Sequence, residues 1–245
     1  MKQPGQYSPP DETDRGKPKA EQAYEYLRDA VISMRLEPNS IIAEKELCAE
    51  LGISRTPLRE AVLRLAHEGL VSVVPGDGTF VSRISLRGVL QGYLVRSSIE
   101  LRMVRLAARY YTEDFDRDFN ILQFLQQDAN KRLDYGLALR LDTEFHQLIC
   151  RVAGFPDIWS AVHNATGQLD RLRYRAFDKQ GMRKEIEEEH AAIHKALQTH
   201  DEDLAHALMR KHLNDISDVI DFVKSYSPEI LFLEEEPDLA TLLSA

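Results

Sequence analysis

Ser54-Arg55-Thr56-Pro57-Leu58-Arg59-Glu60-Ala61 is the stretch that decides the fold of the first part of this chain. It follows a short segment of helical pattern at 43–51 and a turn at Gly52-Ile53, and the helical pattern then resumes as far as Leu70. Gly52 suits a tight bend because glycine adopts positive φ without steric cost. Two short helices joined by such a turn predict a helix-turn-helix, whose second helix enters the major groove of DNA.

The first turn of the second helix carries the residues expected to face DNA. Ser54 can cap this helix with Pro57 tolerated inside the first turn, and Thr56 as the cap with Pro57 at the first helical position is an equal alternative. Arg55 and Arg59 lie four residues apart and therefore share a helix face. Arginine can bind guanine through two hydrogen bonds or clamp a phosphate. An ordinary surface helix is the competing interpretation of this short pattern.

A hairpin pattern follows directly. The segments 70–74 and 79–82 contain β-forming residues, and Pro75-Gly76-Asp77-Gly78 between them is a turn sequence. A hairpin in this place is typical of the wing of a winged helix. Its glycines would let the backbone come close to the minor groove or to a phosphate.

These segments together resemble the amino-terminal domain of GntR-family transcription regulators, over about residues 20–83. The runs that carry the resemblance are 36–42, 44–47, 51–61 and 68–71. The resemblance implies that DNA is contacted by Lys45, Ser54, Arg55, Thr56 and Arg59, and that the minor groove is met by the wing glycines Gly76 and Gly78. Some family members have arginine where this chain has Lys45. Because lysine lacks the planar fork of arginine, we expect Lys45 to bind phosphate rather than a base.

The charge of the chain is distributed unevenly. A chain of 245 residues suits one or two domains, and its net charge of −9 is unusual for a protein that binds nucleic acid. Residues 15–84, however, contain ten Lys/Arg and ten Asp/Glu, while residues 1–14 contribute −2 and residues 85–245 contribute −7. DNA binding by the neutral segment must therefore depend on where its basic residues lie rather than on bulk charge.

The cysteines and the termini bear on the cellular setting. Cys48 and Cys150 are the only cysteines and neither has a CxxC partner, which is typical of buried thiols in a cytosolic protein. Residues 1–16 lack the apolar core of a signal peptide, and no apolar run is long enough to span a membrane. We therefore expect a cytoplasmic protein without membrane contact, with a disordered arm at 1–18 and an acidic-apolar tail at 229–245.

Between these ends, residues 85–228 show helical periodicity without a strand pattern or an internal repeat. Apolar residues recur every three or four positions, which predicts an antiparallel bundle of six or seven helices. Gly136, Gly154 and Gly181 are expected between helices. The expected helical segments are Ser85–Tyr111, Asp114–Leu133, Leu137–Val152, Asp157–Phe177, Arg183–Thr199 and Glu202–Tyr226. The predicted fold class is mainly α, with a winged helix-turn-helix at 19–84 followed by an all-α bundle.

Polar residues interrupt or adjoin the apolar stripes of this bundle. His190 and His212 each break a stripe, and Asp142 and His146 lie four residues apart beside another. A hydrogen-bonded core residue is the more common interpretation of any single histidine of this kind. Three histidines and one aspartate on three helices instead favour a divalent transition metal, for which Zn²⁺ and Ni²⁺ fit best. Six-coordinate geometry would leave open positions beside these four ligands.

The same residues carry a second resemblance. The patterns Leu141-Asp142-x-x-Phe145-His146, Glu189-His190-x-x-Ile193 and Ala205-x-x-x-Met209-x-x-His212-Leu213 resemble the FCD ligand-sensing domain of FadR-type GntR regulators, over about residues 86–225. The resemblance implies a metal held by Asp142, His146, His190 and His212, and a small carboxylate effector that completes its coordination. Arg96 matches an arginine of the first sensing helix and could pair with that carboxylate. An internal ion pair with Glu100 is an equal alternative.

Two residues beside the expected ligands have less certain roles. His194 lies one turn after His190 and could act as a competing ligand or line the cavity, or it could instead lie behind the ligands or be partly exposed. Glu189 belongs to a run of three glutamates that is most simply solvated, although it could orient a metal-bound imidazole.

The predicted function is a ligand-responsive transcription regulator, with repression relieved by effector as the usual behaviour of the family. A homodimer on a palindromic operator is expected because one recognition helix reads too few base pairs. The alternative from another class is a metal-dependent hydrolase or lyase, in which an open metal position activates water. No HExxH motif and no evident general base support that alternative, and a metal store is a poor use of a single Asp/His site.

Overall fold

The computed structural model describes residues 16–177, 180–213 and 230–232. Within this part of the chain, one compact unit contains 16–89 with 230–232, and a second contains 90–177 with 180–213. Residues 1–15 of the arm expected at 1–18, the helix break at Ser227-Pro228 and most of the tail lie outside the described residues. None of the described helices has both the length and the apolar character needed to cross a bilayer.

The first unit contains the expected winged helix-turn-helix. Gly52 ends the second helix with φ 60°, so the residue adopts the left-handed conformation that the turn requires. Leu27, Leu58 and Leu65 have no exposed surface and lie in one core, which joins the first helix to the third. The elements are α1 (Lys19–Ile32), α2 (Glu44–Leu51), α3 (Arg55–His67), β1 (Val71–Val74) and β2 (Gly78–Val81).

The wing is an antiparallel hairpin, as expected, with strand bounds within one residue of the prediction. Val71 pairs with Val81 at one end of the ladder and Val74 pairs with Gly78 at the other. The hydroxyl of buried Thr79 donates a hydrogen bond of 2.9 Å to Glu44 Oε1 at the start of α2. This contact joins the base of the wing to the helix that precedes the recognition helix.

Seven further α-helices follow in the described chain, in agreement with the expected six or seven. Short 3-10 helices at Glu113–Phe115 and Pro156–Ile158 precede the second and the fourth of these helices. A single apolar core includes Val104, Phe119, Phe145 and Ile193, which come from four different helices. The helices are α4 (Leu86–Tyr110), α5 (Asp116–Arg132), α6 (Tyr135–Val152), α7 (Trp159–Ala165), α8 (Gly167–Ala176), α9 (Gln180–Gln198) and α10 (Glu202–Leu213).

The prediction of one continuous helix over Asp157–Phe177 was wrong. The segment contains a 3-10 turn and two α-helices, which are separated at Thr166 with φ −94° and ψ 0°. The Thr166 hydroxyl donates 3.1 Å to Asp170 Oδ2 one turn later, a local side-chain hydrogen bond of the kind that competes with helix continuation. The apolar periodicity continues through this break, so the periodicity could not reveal the break.

Two of the three glycines expected between helices lie inside them. Gly136 is in the first turn of α6, which starts at Tyr135 because the Asp134 side chain accepts a hydrogen bond of 2.9 Å from the Leu137 amide. Gly181 is in α9, whereas Gly154 lies between helices as predicted. A different glycine has a packing role: a Cβ added at Gly92 of α4 would lie 2.9 Å from the carbonyl oxygen of Ala165.

A short parallel strand pair was not expected from the sequence. β3 (Ile84–Ser85) pairs with β4 (Leu231–Phe232), and the Ile84 amide donates 2.9 Å to the Ile230 carbonyl. The Ser85 hydroxyl then accepts 3.0 Å from the Gly88 amide, which caps the start of α4. Strands of two residues are too short to show alternation, so the role of this part of the tail is invisible in the sequence.

Candidate metal centre and nucleic-acid interface

The residues expected to bind DNA lie exposed on the first unit. Ser54 occupies the N-cap position of α3 in an extended conformation, but its side chain makes no capping hydrogen bond. Arg55, Thr56 and Arg59 follow it on the first turns of α3, and all are exposed. Lys45 on α2 and the wing glycines Gly76 and Gly78 are exposed as well. Their contacts with DNA stay predictions, and an open first turn of α3 is what such contacts require.

The other end of the recognition helix is held by a buried polar group. Glu68, which ends α3, accepts hydrogen bonds of 2.5 Å from the Tyr24 hydroxyl and 2.9 Å from Arg28 Nε. Burial, and then the hydrogen bond to Glu68, raise the pKa of Tyr24. Because α1 supplies both donors, the C-terminal end of α3 is held against α1 while its first turn stays accessible.

In the second unit, four side chains converge as the sequence predicted. Asp142 and His146 lie one turn apart on α6, His190 lies on α9, and His212 lies on α10. One possible ligand atom from each of the four falls within a group whose members are all less than 4.8 Å apart. Asp142, His146 and His190 are buried, so the group lies in the helical core rather than on the surface.

Each of the three imidazoles has a side-chain oxygen beside its outer nitrogen. Nδ1 of His146 lies 2.5 Å from Glu100 Oε2, that of His190 lies 3.0 Å from Gln126 Oε1, and that of His212 lies 2.9 Å from Glu189 Oε2. The contacts of His190 and His212 are hydrogen bonds, whereas the close contact of His146 with Glu100 lacks hydrogen-bond geometry. An ionised carboxylate only accepts hydrogen bonds, so the proton of His212 belongs on Nδ1. The lone pair on His212 Nε2 then points inward, which is the arrangement that metal-binding histidines adopt.

The charge state of Glu189 supports this assignment. Burial raises the pKa of Glu189, but the hydrogen bonds from His212 and Lys211 outweigh it and lower the pKa to about 2. Burial and the charge of Arg96 hold the pKa of His146 well below its usual value, and burial does the same for His190. These two imidazoles are therefore neutral, as metal ligands must be.

The inward-facing nitrogens are spaced as ligands of one ion. His146 Nε2 lies 3.2 Å from His212 Nε2, and His190 Nε2 lies 3.4 Å from Asp142 Oδ1. Two ligand atoms bound at about 2.1 Å from one ion lie roughly 3.0–3.4 Å apart when they subtend about 90–110°. Two facing imidazole lone pairs repel each other, and a cation between them would remove that repulsion. The donor set therefore fits a divalent transition metal.

Arg96 makes the ion pair that was the alternative to effector binding, and it also faces the four converging side chains. Its Nε donates 2.5 Å to Glu100 Oε1, and its Nη2 lies 2.7 Å from His146 Nε2. Glu100 thus links the arginine to the imidazole, because its second oxygen faces His146 Nδ1. The spacing of Arg96 and Glu100 on α4 revealed their pairing, but nothing in the sequence revealed the contact with His146.

A second arginine was missed by sequence reasoning. Arg173 on α8 pairs with Asp142, and its Nη1 donates 2.7 Å to Asp170 Oδ1. Burial raises the pKa of Asp142, but the charge of Arg173 outweighs it and holds that pKa well below its usual value. The spacing of Asp170 and Arg173 gave a signal for their own pairing, whereas the contact with Asp142 depends on how α6 and α8 pack.

A cavity of about 80 Å³ lies beside the four converging residues. It is lined by Tyr93, Arg96, Asp142, Leu169, Arg173, Ala176, Phe177, Met182, Ile186, His212 and Leu213. The cavity therefore includes two of the expected metal ligands and the arginine expected to bind an effector.

His194 does not belong to this centre. Its Nε2 lies 2.8 Å from the Tyr111 hydroxyl and 3.3 Å from Asp116 Oδ1, and its ring stacks on Phe119 at 4.5 Å. Only 4% of its surface is exposed, so the expectations that it lines the cavity or is partly exposed were wrong. One turn along α9 from His190, its ring packs against Phe119 of α5 instead of joining the ligand group.

Comparison with known proteins identifies both units. The profile described as "Bacterial regulatory proteins, gntR family" matches residues 19–81, and the FCD domain profile matches residues 91–215. The "HTH-type transcriptional repressor RspR" of Escherichia coli strain K12 is 32% identical over 205 residues, which cover 83% of this chain and 89% of RspR. The chain belongs to the GntR family of transcription regulators.

Other GntR proteins agree with this assignment. An "Uncharacterized HTH-type transcriptional regulator in unstable DNA locus" from Streptomyces ambofaciens is 34% identical over 84% of this chain and 87% of its own length. The solved structure of "E. coli McbR/YncC" has a TM-score of 0.74 at 20% identity and covers 84% of this chain and 99% of that chain, so it supports the fold. The enzyme alternative finds no support among these relatives, and the chain is a DNA-binding regulator rather than an enzyme.

Proposed function

We propose that this GntR regulator is a repressor that binds a palindromic operator as a homodimer, and that a small carboxylate bound beside a divalent metal controls its affinity for the operator. Its similarity to RspR, whose name describes a transcriptional repressor, supports the direction of control. A dimer follows from the size of the reading element, because one recognition helix covers only a few base pairs.

One observation supports the metal in this proposal. Three imidazoles have Glu100, Gln126 and Glu189 beside their outer nitrogens, and their inner nitrogens converge with Asp142. Without a metal, His190 Nε2 is buried with no hydrogen-bond partner among the described residues, and the Nε2 atoms of His146 and His212 face each other at 3.2 Å. Neutral nitrogens with one carboxylate match Zn²⁺ or Ni²⁺ better than Mg²⁺ or Ca²⁺, which prefer oxygen ligands.

The carboxylate is assigned to the adjoining cavity because Arg96 lies at its wall. A bound ion there would supply positive charge and, if six-coordinate, open positions for an anion. Arg96 Nη2, only 2.7 Å from His146 Nε2, is close enough for an anion at the metal to accept a charge-assisted hydrogen bond from it.

Control of DNA binding requires that the effector distinguish two states of the dimer. A ligand shifts such an equilibrium only by its difference in affinity for the two states. The effector would favour the state in which the two winged domains are less well placed for the operator, which lowers operator affinity.

Metal analysis of purified protein tests the proposal. We expect about one Zn²⁺ or Ni²⁺ per chain in the wild type and almost none in the variant with His146, His190 and His212 all changed to alanine. Metal that binds only the folded state at about 1,000 times its Kd stabilises that state by about 4 kcal/mol. Chelation should therefore lower the wild-type melting temperature and leave the triple variant unchanged.

His194→Ala provides the matched control, because this histidine is buried in the same unit but makes its contacts with Tyr111 and Asp116. It should lose stability while keeping the metal. Full metal occupancy in the triple variant would exclude this site. Effector control would be excluded if no carboxylate tested changed the operator affinity of the metal-loaded protein.

A further inference from the structure

We infer that the effector is a short monocarboxylate with an apolar body, rather than a sugar acid or a dicarboxylate. The inference rests on the proposed function, because it takes the metal and Arg96 as the partners of the carboxylate. It depends on the composition, charge and size of the cavity beside them.

Apolar side chains form most of the described cavity wall. Seven of the eleven described lining residues are apolar or aromatic, and they come from four of the helices and their ends. Met182 and Ile186 lie one turn apart on α9, and Leu169 and Phe177 are almost completely buried. A ligand whose body carries hydroxyl groups would lose its water there, and desolvation without new hydrogen bonds is unfavourable.

The charged side chains of the wall already have partners of their own. Arg96 is paired with Glu100, and Arg173 is paired with Asp170 as well as with Asp142. Each arginine thus has one carboxylate that is not a metal ligand. Asp142 is the carboxylate that remains to balance a divalent ion.

Glu189, the carboxylate that contacts His212 Nδ1, does not change this charge balance. Lys211 Nζ lies 2.8 Å from Glu189 Oε1, so that pair is neutral as well. With the three imidazoles bound to the ion as neutral ligands, the two positive charges of the ion and the single negative charge of Asp142 leave one positive charge among the cavity-lining groups and their partners. One ligand carboxylate neutralises it, whereas a second would leave a buried negative charge without a counter-charge, which is strongly unfavourable.

The size of the cavity limits the apolar body. Its volume of about 80 Å³ is roughly half that of an apolar cavity of about 150 Å³ that holds one benzene molecule. A carboxylate with a chain of a few carbons fits this space, and a long acyl chain would have to extend beyond it.

Butyrate, threonate and succinate test the inference because they share a four-carbon chain and differ in hydroxyl groups or in a second carboxylate. Acetate is the probe for the carboxylate alone. The full-length protein, loaded with its metal and checked by metal analysis, is titrated with each acid, and both melting temperature and operator release are measured. We expect butyrate to act at a concentration at least about tenfold lower than threonate or succinate, a difference of about 1.4 kcal/mol.

Met182 supplies a matched pair of variants, since it is only half-buried and its replacement need not disturb folding. Met182→Gln keeps the length of the side chain and adds an amide, whereas Met182→Leu stays apolar. The glutamine variant should lose most of the preference for butyrate over threonate, and the leucine variant should keep it.

The outcomes separate this inference from the proposed function. If acetate stabilises the metal-loaded protein but threonate or succinate binds as tightly as butyrate, the inference of an apolar monocarboxylate is wrong and the proposed function stands. An unchanged preference in Met182→Gln would contradict the assignment to this wall. If none of the four acids, acetate included, changes the melting temperature or operator binding, then carboxylate control and the inference are both wrong.

Discussion

The two candidate sites of this protein differ in burial and in how far apart their residues lie in the sequence. Arg55 and Arg59 are exposed on the first turns of one helix, within a few residues of each other. Asp142, His146 and His190 are buried, come from two helices, and depend on further side chains behind them. Substitution in the first site should therefore change DNA binding alone, whereas substitution in the second should change stability and ligand binding together.

The strongest test of this difference is Glu100→Ala. Only 2% of Glu100 is exposed, and its carboxylate meets both Arg96 and His146, so its removal leaves a buried arginine without its ion-pair partner. Breaking a buried pair in this way typically costs about 3–5 kcal/mol. We expect a loss of this size in the free energy of unfolding, measured with denaturant, together with weaker metal binding.

Asp128→Ala is the control for this substitution. Asp128 pairs with Arg132 one turn later on the surface of α5, where ion pairs contribute about 0–1 kcal/mol. Glu100→Gln, which keeps the shape and one acceptor oxygen, distinguishes loss of charge from loss of packing. Equal stability of the Glu100→Ala and Asp128→Ala variants would show that Glu100 does not hold the centre together.

The exposed site should behave in the opposite way. Arg55→Ala and Arg59→Ala should each weaken specific operator binding by about 1–3 kcal/mol through the loss of base or phosphate contacts. The melting temperature and the metal content should stay at the wild-type values because neither side chain is buried. Titration of the operator at fixed salt, beside a melting curve for each variant, measures both.

Arg35→Ala is the matched control in the same unit, because Arg35 is an exposed arginine that follows α1 and pairs with Asp29 of that helix. It should bind the operator as the wild type does. Wild-type operator affinity in both the Arg55 and Arg59 variants would count decisively against α3 as the reading helix.

The same difference explains which features could be predicted from the sequence. The winged helix-turn-helix follows from neighbouring residues: Gly52 sets the turn, and the apolar spacing sets the core, so its elements were predicted to within a few residues. The four converging residues of the bundle were recognised because each interrupts or adjoins a helical stripe, and Asp142 and His146 share one face of α6.

The side chains behind those residues could not be found in this way. Gln126 meets His190 although the two lie on α5 and α9, and Glu100 meets His146 across α4 and α6. Nothing in the local sequence of α5 distinguishes Gln126 from its solvated neighbours, since its burial depends on how the helices pack. The break at Thr166 was missed for a related reason, because it arises from a local hydrogen bond that apolar periodicity does not record.

The smallest effect expected is that of Lys45, and it tests whether the exposed site acts through charge as well as through base contacts. Lys45 is exposed on α2 and, as a point charge, is expected to contact a phosphate. Each phosphate contact releases condensed counterions, so Lys45→Ala should reduce the slope of log affinity against log salt by about one. It should weaken binding to operator and to unrelated DNA alike. Lys45→Arg should restore the slope, because it restores the charge. A slope unchanged in Lys45→Ala, or a loss confined to the operator, would show instead that Lys45 reads a base or does not touch DNA.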